Sequence, residues 1–513
     1  MEKVMFWFGG KKKKDNQPIT AKKSKKAKLT ACYETNLTCL KTIFQDDDPI
    51  QFREFKSNNN NKIRFCVIYC DGLADSAIID EHIIKPVMLD YIPDDTKIID
   101  SLIMQVIQTD SAKKVSSFQE IINDVTYGDT LLLVEGSHEA LLLNTKSFTT
   151  RAITEPESEK ILTGPREGFT ETLTTNLSLI RRKLRTQQVK MKYYSAGERT
   201  HTQLCIVYMD DIVNKNILRE LYRRLDAIHI DSVLDANYIS ELIRDNTWSP
   251  FRAVGYTERP DVVVGKLLEG RIALFVDGSP VVLTIPYLFI ENFQNSEDYY
   301  LNFYYASFSR SLRVVGFFLT VLVPAFYIAV VAFHREMLPT SLIVHIATER
   351  QNVPFPAALE AFFMLIIFDI LRETGLRMPT NIGQALGIVG ALVLGQAAVE
   401  AKLVAAPMII IVAITGITNL LIPQMNAPVL VARFGLLAFA SSLGFFGVTL
   451  GVAILLIHIL NLRSFGIEQL TPGRNLQYQE VKDTLIRAPW WQMRDRPLST
   501  AKNIVRQDSK EGK

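Results

Sequence analysis

Residues 312–333 read LRVVGFFLTVLVPAFYIAVVAF, and this stretch divides the chain into two chemically different parts. Its 22 residues are enough for a helix that crosses the hydrocarbon core of a membrane, and Pro324 predicts a kink within it. The chain of 513 residues is mixed and charged before this stretch, whereas it is mostly apolar from Leu312 to Leu462. The sequence therefore excludes a fully soluble protein, a disulfide-stapled miniprotein, a disordered chain and a fibre.

Four more apolar segments follow the first, at 355–371, 382–399, 403–423 and 428–460. The last of them has 33 residues, which would make it about 50 Å long as one helix. That length exceeds a simple crossing, so we expect this segment to be tilted, broken near Gly444 or partly outside the membrane. The five segments predict an α-helical polytopic membrane domain over residues 311–462.

The sequence leaves the number of membrane crossings open. The C-terminal tail, residues 463–513, is rich in Lys and Arg, which favours the cytoplasmic side. The absence of a signal peptide places the N-terminal part on that side as well. Five crossings would place the N-terminal part and the C-terminal tail on opposite sides of the membrane, so an even number of crossings is needed. Segment 355–371, which carries Glu360 and Asp369, is the best candidate for a re-entrant or interfacial helix.

Two ridges of small residues are predicted to pack helices closely against each other in lipid. The first ridge is Gly383, Gly387, Ala391 and Gly395, and the second is Ala440, Gly444, Gly447 and Gly451. The alternative is that glycine is simply more common in membrane helices than in soluble ones. Two separate ridges favour packing, either within one chain or between chains.

A few polar side chains at membrane depth are the candidate pore or gating residues, because such groups are costly in lipid and usually functional. They are Glu360, Asp369, Gln396, Glu400 and Lys402. Gln396 and Glu400 share a helix face, and Glu400 and Lys402 lie in a short turn between apolar helices. They either mark the membrane interface or form a ring of carboxylates at a pore mouth once chains assemble.

Glu360 and Asp369 are expected to act separately. They are nine residues apart, which places them on roughly opposite sides of a helix. Asp369 is predicted to pair with Arg372 on the same face, or with Arg377 beyond the end of the helix.

The N-terminal part is predicted to contain two tandem, similar α/β subdomains. The first has a strand at 63–70, helices at 77–89, 98–107 and 118–125, and a hairpin at 130–134 and 140–143. The second has a strand at 204–209, a helix at 217–228, a helix that Thr257 caps and Pro260 begins, a stop at Gly270, and a hairpin at 272–276 and 281–285.

The two sets also match residue by residue. Cys66 corresponds to Cys205 at an offset of 139, and Gly128 corresponds to Gly270 at an offset of 142. This predicts an internal duplication, although any two strands and hairpins share some features. Equal strand orders would support the duplication, and different ones would contradict it.

The predicted domains are a disordered basic tail at 1–30, a first α/β subdomain at 31–160 and a linker with a connecting helix at 161–200. A second α/β subdomain at 201–310, the membrane domain at 311–462 and the tail at 463–513 follow. The lysines of residues 1–30 are either solvated or attracted to anionic lipid. The basic run Arg181–Arg185 is expected to be a solvated helix end, with a contact to another subunit or to lipid as the alternative. Nucleic-acid binding has no support.

The soluble part lacks the signature of an enzyme. It contains no phosphate loop, no zinc-protease motif, no nucleophile elbow and no kinase motif. The five Cys include no Cys-x-x-Cys pair, which fits a reducing compartment. Cys66 and Cys70 lie in a strand-like run, so we expect them to be small buried side chains. The sequence therefore predicts no enzyme activity, no metal site and no cofactor.

Several long motifs resemble the A subunits of bacterial spore germinant receptors, the GerA family. They are a run over 349–414 that includes ERQNVPFPAALEA, GPREGFTE at 164–171, TERPDVVVGKLLEGRIALFVDG at 257–278, RSFG at 463–466 and RAPWW at 487–491. The resemblance covers nearly all of 60–498. One departure is IEQL at 467–470, where the family more often has Pro-Tyr-Leu after Phe-Gly.

The resemblance implies a multi-pass protein in the inner membrane of the dormant spore, with a cytoplasmic N-terminal region. Such A subunits work with a transporter-like B subunit, thought to bind the nutrient, and a lipoprotein C subunit. They are thought to form a homo-oligomeric ring that acts as a nutrient-gated cation channel and starts germination. A non-conducting scaffold and a secondary transporter are the alternatives. Against a transporter, the apolar part of the sequence shows no obvious pair of repeated interrupted helices.

Overall fold

The computed structural model describes most of the chain, which divides into two units. The described residues are 28–58, 63–90, 98–147, 156, 159–351, 353–377, 393, 395–470, 483–497, 500–501 and 505–506. The first unit comprises residues 1–152 and 174–193, and the second comprises 153–173 and 194–513. Residues 1–27 of the predicted basic tail and three residues of the first ridge, Gly383, Gly387 and Ala391, lie outside the described residues.

The first unit is a five-stranded antiparallel sheet with helices on both faces. Its strands are β1 (Ile50–Lys56), β2 (Arg64–Cys70), β3 (Ala112–Val115), β4 (Thr130–Val134) and β5 (Ala140–Leu143), in the order β1-β2-β4-β5-β3. Its first and last helices are α1 (Tyr33–Ile43) and α5 (Phe118–Val125). Between them, α2 (Ser76–Ile78), a π-helical segment (Ile79–Ile84) and α3 (Lys85–Leu89) form one continuous helix. The helix α4 (Ile98–Ser101) continues into a second π-helical segment (Leu102–Val106). Successive side chains of a strand point to opposite faces. Accordingly, Cys66 and Ile68 pack with α1 and α5, whereas Phe65 and Val67 pack with the other helices.

A second sheet of the same design follows, with β7 to β10 in the second unit. Its strands are β6 (Val189–Ala196), β7 (Thr202–Met209), β8 (Gly255–Thr257), β9 (Ile272–Val276) and β10 (Val282–Ile285), in the order β6-β7-β9-β10-β8, and its helices are α7 (Lys215–Asp226), α8 (Ala236–Ile243) and α9 (Pro260–Leu268). The helix α6 (Leu173–Lys183) precedes β6. Leu204 and Ile206 of β7 form one core with α7 and α8, and Phe275 on β9 packs edge-on against Phe169.

Strand order and register agree between the two sheets, so the predicted duplication passes its test. Counted in chain order, both sheets run first, second, fourth, fifth, third. In the first sheet Phe65 pairs with Val134, and in the second Leu204 pairs with Val276. Leu204 follows Phe65 by 139 residues, and Val276 follows Val134 by 142 residues. These are the two offsets found in the sequence analysis.

The predicted cap of α9 is wrong. Pro260 does begin the helix, but its N-cap residue is Arg259, which makes no side-chain capping bond. Thr257 is held in β8, where its Oγ1 accepts a hydrogen bond from the Arg259 backbone N–H at 3.1 Å and donates one to Glu159 Oε2 at 2.7 Å. Because its backbone belongs to the sheet, its side chain cannot also serve the first turn of α9.

The basic end of α6 is not simply solvated. Arg181 is buried in the first unit, where it forms an ion pair with the buried carboxylate of Asp47 and donates to the carbonyl oxygen of Val189 at 3.3 Å. Burial raises the pKa of the Asp47 carboxyl, and the positive charge of Arg181 opposes that shift. This cation is therefore part of the core of the unit and not part of a contact surface.

The C-terminal part is a helical bundle. Its helices are α10 (Phe303–Ile328) with a π-helical extension (Ala329–Phe333), α11 (Thr340–Arg350), α12 (Ala357–Arg377), α13 (Ala406–Asn419) and α14 (Asn426–Leu460), and residues 395–400 are also helical. Within the described residues, Phe303–Phe333 and Pro423–Leu460 have the length and apolar composition of membrane helices, and α13 is a shorter apolar helix. Pro324 lies inside α10, as the sequence indicated.

The helix α14 turns back on itself at Gly444. This residue has φ 60° and ψ −136°, a conformation that is accessible essentially to glycine alone. A Cβ placed on Gly451 would lie 2.5 Å from Leu436 Cδ2, and one on Gly447 would overlap the carbonyl oxygen of Phe439. In a straight helix Leu436 and Gly451 would be about 22 Å apart. The segment is therefore a hairpin of two antiparallel arms, 426–443 and 445–460.

The second ridge of small residues lies between these arms. Ala440, Gly444, Gly447 and Gly451 are all buried. The arms are roughly 27 and 24 Å long, so the broken-helix alternative for the last apolar segment holds, and one segment supplies two passes of the bundle.

The bundle has two distinguishable ends. At the near end, Phe293 stacks edge-on against Phe317 of α10, and both belong to one core with Val429 and Ile459 at the open end of the hairpin. At the far end, a Cβ on Gly444 would lie 2.9 Å from His334, just beyond the extension of α10.

The C-terminal tail returns to the near end and contacts the second sheet domain. Arg496 Nε donates to the carbonyl oxygen of Leu268 at 2.6 Å, and Thr500 Oγ1 donates to that of Glu269 at 3.0 Å. Ala501 forms an isolated β-bridge with Val213. The tail and the second sheet domain therefore lie at the same end of the bundle.

The hairpin predicts that Gly444→Ala destabilises the bundle, whereas Gly435→Ala does not. An alanine at 444 would have a backbone conformation that costs roughly 1–3 kcal/mol and a Cβ that overlaps Phe333 and His334. Gly435 lies in the first arm with open space around its Cβ position, so alanine there should gain about 0.5–1 kcal/mol. Thermal unfolding of the two full-length variants in one detergent would measure the difference. Equal melting temperatures would contradict the reversal at Gly444.

Candidate functional site

The Glu360 carboxylate is buried and holds the beginning of α13. Its Oε1 accepts a hydrogen bond from the backbone N–H of Ala405 at 2.6 Å, and its Oε2 lies 3.8 Å from the guanidinium of Arg350. A carboxylate at a helix N-terminus is stabilised by the unpaired amides and the helix dipole there. Glu360 therefore joins α11, α12 and α13 at the far end of the bundle.

The Asp369 carboxylate is paired between α12 and the hairpin. It forms an ion pair with Arg433, which is buried in the first arm, and its Oδ1 lies 3.7 Å from Arg372. The predicted pairing with Arg372 is confirmed. The alternative partner, Arg377, pairs with Glu373 at 2.7 Å instead.

Two positive charges face the one carboxylate in this group. Among the described residues no hydrogen-bond partner is present for Asp369 Oδ1, Arg372 Nε or two nitrogens of Arg433. Arg372 also reaches Asn426, the first residue of α14, at 3.5 Å. The group therefore ties α12 to the base of the hairpin and carries an excess positive charge inside an apolar bundle.

Gln396, Glu400 and Lys402 lie together on the surface at the far end. All three side chains are exposed, and the chain leads from them directly to Ala405 beside Glu360. Gln396 and Glu400 are on one helical turn, as the spacing indicates. Gly395, the described member of the first ridge, is buried, and its Cβ position lies 3.8 Å from Ile409 of α13.

Lys402 ends this helix in a conformation that usually belongs to glycine. Its φ is 55°, its N–H donates to the Val399 carbonyl at 2.9 Å, and the Leu403 N–H donates to the Ala398 carbonyl at 2.9 Å. These two bonds define a Schellman motif with Lys402 at the position after the C-cap. The backbone role explains the turn independently of any pore.

Sequence reasoning missed a charged group at the near end. Arg310 is buried at the start of α10, where it contacts Asp298 at 3.3 Å and Asp483 of the tail at 2.9 Å. Arg313, one turn further on, pairs with Asp298 at 2.7 Å. Burial and the Asp483 carboxylate raise the pKa of the neighbouring Tyr299 hydroxyl. Asp483 is 173 residues from Arg310, so no local pattern could indicate this pairing.

The described residues hold no group of three or more His, Cys, Asp or Glu side chains that could bind a metal. Cys66, Cys70 and Cys205 are buried and carry reduced thiols. Burial raises the pKa of Cys66 and of Cys70 to about 12, which makes them poor nucleophiles. The chemistry of the bundle is therefore that of paired charges between helices.

Comparison with known proteins gives consistent matches over most of the chain. Residues 38–499 match the family described as the Bacillus/Clostridium GerA spore germination protein. Spore germination protein KA of Bacillus subtilis is 40% identical over 452 residues, which are 88% of this chain and 83% of that protein. The uncharacterized membrane protein YfkQ of Bacillus subtilis is 39% identical over 90% of each chain.

Two further matches concern a relative and a solved structure. Spore germination protein GerLA of Bacillus cereus is 35% identical over 86% of this chain and 91% of its own. The crystal structure of the N-terminal domain of the A subunit of the Bacillus megaterium spore germinant receptor GerK3 is 31% identical. It covers 51% of this chain and 98% of its own, with a TM-score of 0.38.

We predict that Asp369→Ala destabilises the chain by about 3–5 kcal/mol, because it leaves buried Arg433 without its counter-ion. The double variant Asp369→Ala/Arg433→Met should be less destabilised than the single one, since no buried charge then remains unpaired. Thermal unfolding in detergent provides the measurement.

The matched control for that cycle is Glu373→Ala, which breaks the exposed pair with Arg377 and should cost no more than about 1 kcal/mol. A double variant as unstable as Asp369→Ala alone would show that the ion pair does not carry the effect.

Lys402→Gly is predicted to stabilise the chain by about 1 kcal/mol, because glycine adopts positive φ without the steric cost that other residues incur. Lys402→Ala removes the same charge but keeps the strained backbone, so its melting temperature should stay near that of the parent chain. A gain in both variants would point to the loss of the charge and not to the backbone.

Proposed function

Because the chain belongs to the GerA family, the A subunits of bacterial spore germinant receptors, we propose that it is a multi-pass subunit of such a receptor in the inner spore membrane. Its sheet domains lie on the cytoplasmic side. It acts with a transporter-like B subunit and a lipoprotein C subunit, and copies of it assemble into a nutrient-gated cation channel. The chain itself has no enzymatic role in this proposal.

Five passes of the bundle lie within the described residues. The helix α10 runs from the near end to the far end. The helices α12 and α13 both begin at the far end, where the Glu360 carboxylate meets the Ala405 backbone N–H. The helix α13 ends toward the near end, where the Thr418 and Thr320 hydroxyls form a hydrogen bond of 2.8 Å. Residues 378–392, which include most of the predicted apolar segment 382–399, lie outside the described residues. The two arms of the hairpin add two passes, and segment 355–371 becomes a pass in its own right.

The observation that carries the channel proposal is the internal pairing of the buried charges. Glu360 and Asp369 are each matched to arginine within one bundle, which leaves neither carboxylate free to line a conduit. An ion route is then formed between copies and not through one copy. We assign Glu360 and Asp369 to packing, and we keep Glu400 and Gln396, exposed at the far end, as the candidate ring at a pore mouth.

A non-conducting scaffold is the second candidate. It is favoured by the two sheet domains and by the tail that returns to the second of them, because such surfaces could transmit a signal to other proteins. A secondary transporter has less support, since the bundle shows no repeated pair of interrupted helices at its middle, among the residues described.

The deciding experiment is cation flux from liposomes that hold the full chain, alone and with its B and C partners, with and without candidate nutrients. We expect flux only with the assembled complex and nutrient, and we expect Glu400→Ala to change its selectivity or conductance, because the carboxylate attracts cations to the mouth.

Glu336→Ala is the matched control, since Glu336 is also an exposed carboxylate at the far end. Equal effects of both substitutions would indicate a general surface charge and remove Glu400 from the pore. An intact complex that conducts under no condition would support the scaffold.

A further inference from the structure

Every tryptophan that the structure describes is exposed at the near end of the bundle. The exposed fraction is 94% for Trp248, 49% for Trp490 and 65% for Trp491. Large apolar rings are rarely left in water without a partner. Three rings at one end of an apolar bundle therefore need an explanation that lies outside the chain.

Trp248 lies where the hairpin ends. The next residue, Ser249, bonds His458 Nε2 at 2.9 Å, and the Phe251 ring lies 5.7 Å from the His458 ring. His458 is two residues from the end of α14. Trp248 is thus carried by the second sheet domain to the level at which the apolar hairpin arm stops.

Trp490 and Trp491 are held beside the first turns of α10 by the tail. The Trp490 ring lies 6.0 Å from Tyr299, and the Trp491 ring lies 5.9 Å from Phe303. The Arg487 N–H donates to Ser307 Oγ at 3.1 Å. The pairing of Arg310 with Asp483, described above, fixes the start of this tail segment. Its side chains Leu485 and Ile486 are exposed.

The exposed face of α10 connects these rings to the apolar surface of the bundle. Tyr304, Phe308, Leu312 and Val315 recur at helical spacing, and all four are exposed. Arg313 is the last charged residue of α10, since none follows as far as Phe333. Phe308 lies about 7 Å and Tyr304 about 13 Å before that point along the axis. Each polar layer of a bilayer is roughly 5–8 Å thick, so Phe308 falls within it, whereas Tyr304 lies beyond its outer edge.

We propose that these rings form an interfacial belt, defined as Trp248, Phe308, Trp490 and Trp491, which binds the headgroup layer of the phospholipid bilayer. Aromatic side chains favour that layer because their rings are apolar while their edges are polar. The stripe on α10 is continuous with the lipid-facing surface, which argues for lipid as the occupant and against a second copy of the chain. The belt rests on the proposed membrane insertion and extends it, since it holds the second sheet domain and the tail against the membrane surface.

The test uses the full chain in vesicles of phosphatidylcholine and phosphatidylglycerol. One variant keeps Trp248 alone (Trp7→Phe, Trp490→Phe, Trp491→Phe), and a second keeps Trp490 and Trp491 (Trp7→Phe, Trp248→Phe). Spin-labelled lipids with the label on the headgroup or at the end of the acyl chain quench tryptophan at different depths. We expect the headgroup label to remove about half of the emission of both variants, because interfacial rings lie at that level, and the deep label to remove almost none.

Two control variants on a tryptophan-free background separate the two proposals. Phe318→Trp places the reporter on the exposed face of α10 beyond Arg313, where an acyl-chain label should quench it if the bundle is inserted. Phe275→Trp places it in the buried core of the second sheet, where no lipid label should reach it.

A Phe318→Trp reporter that no acyl label quenches would overturn the membrane insertion itself. A quenched Phe318→Trp reporter with Trp248 and Trp490/Trp491 unaffected by the headgroup label would overturn the belt alone. In that case quenching by aqueous iodide would show that the rings face water, and protection from iodide would show that a second copy or another protein covers them.

Discussion

The helical half of the protein depends on one backbone conformation, the positive φ of Gly444. A residue with a Cβ would be strained there, and the chain would continue as a helix too long for one crossing. The reversal brings Leu436 beside Gly451 and leaves no room for larger residues between the arms. It also returns the chain to the near end, where Arg463 begins a short β-hairpin and the tail reaches the second sheet domain. The last apolar segment therefore supplies two passes of the bundle.

The two sheet domains depend on a different constraint, which is the burial of one strand on both faces. The strand β2 sends Cys66 and Phe65 into separate cores, so helices must cover both sides of the sheet. The same strand position recurs in β7 with the same pairing register, although the two sheets share few identical residues. What the duplication preserved is the pattern of inward side chains and the turns that follow each strand, because these fix strand order and register.

Local patterns made the strands, the hairpins and the apolar segments predictable, since each depends on residues close together in sequence. The ion pairs between elements were not predictable in that way. Asp369 and Arg433 are 64 residues apart, and Asp47 and Arg181 are 134 apart, so only the folded chain shows that they meet. Thr257 failed as a cap for a related reason, because pairing in β8 overrides its local preference. The length of segment 428–460 predicted a tilt, a break near Gly444 or a part outside the membrane, and length alone could not distinguish these.

The distribution of charge in the bundle connects the structure to its proposed role. A charge in an apolar interior is tolerated when an opposite charge lies beside it, and Glu360 and Asp369 both meet that condition within one copy. A conduit for cations needs the opposite arrangement, with carboxylates that face water and have no permanent partner. In the described part of the bundle Glu400 stands exposed on a helix that leads into the far-end turn. In the proposed assembly a single copy is a packed wall, and the passage for ions lies where the walls of neighbouring copies meet.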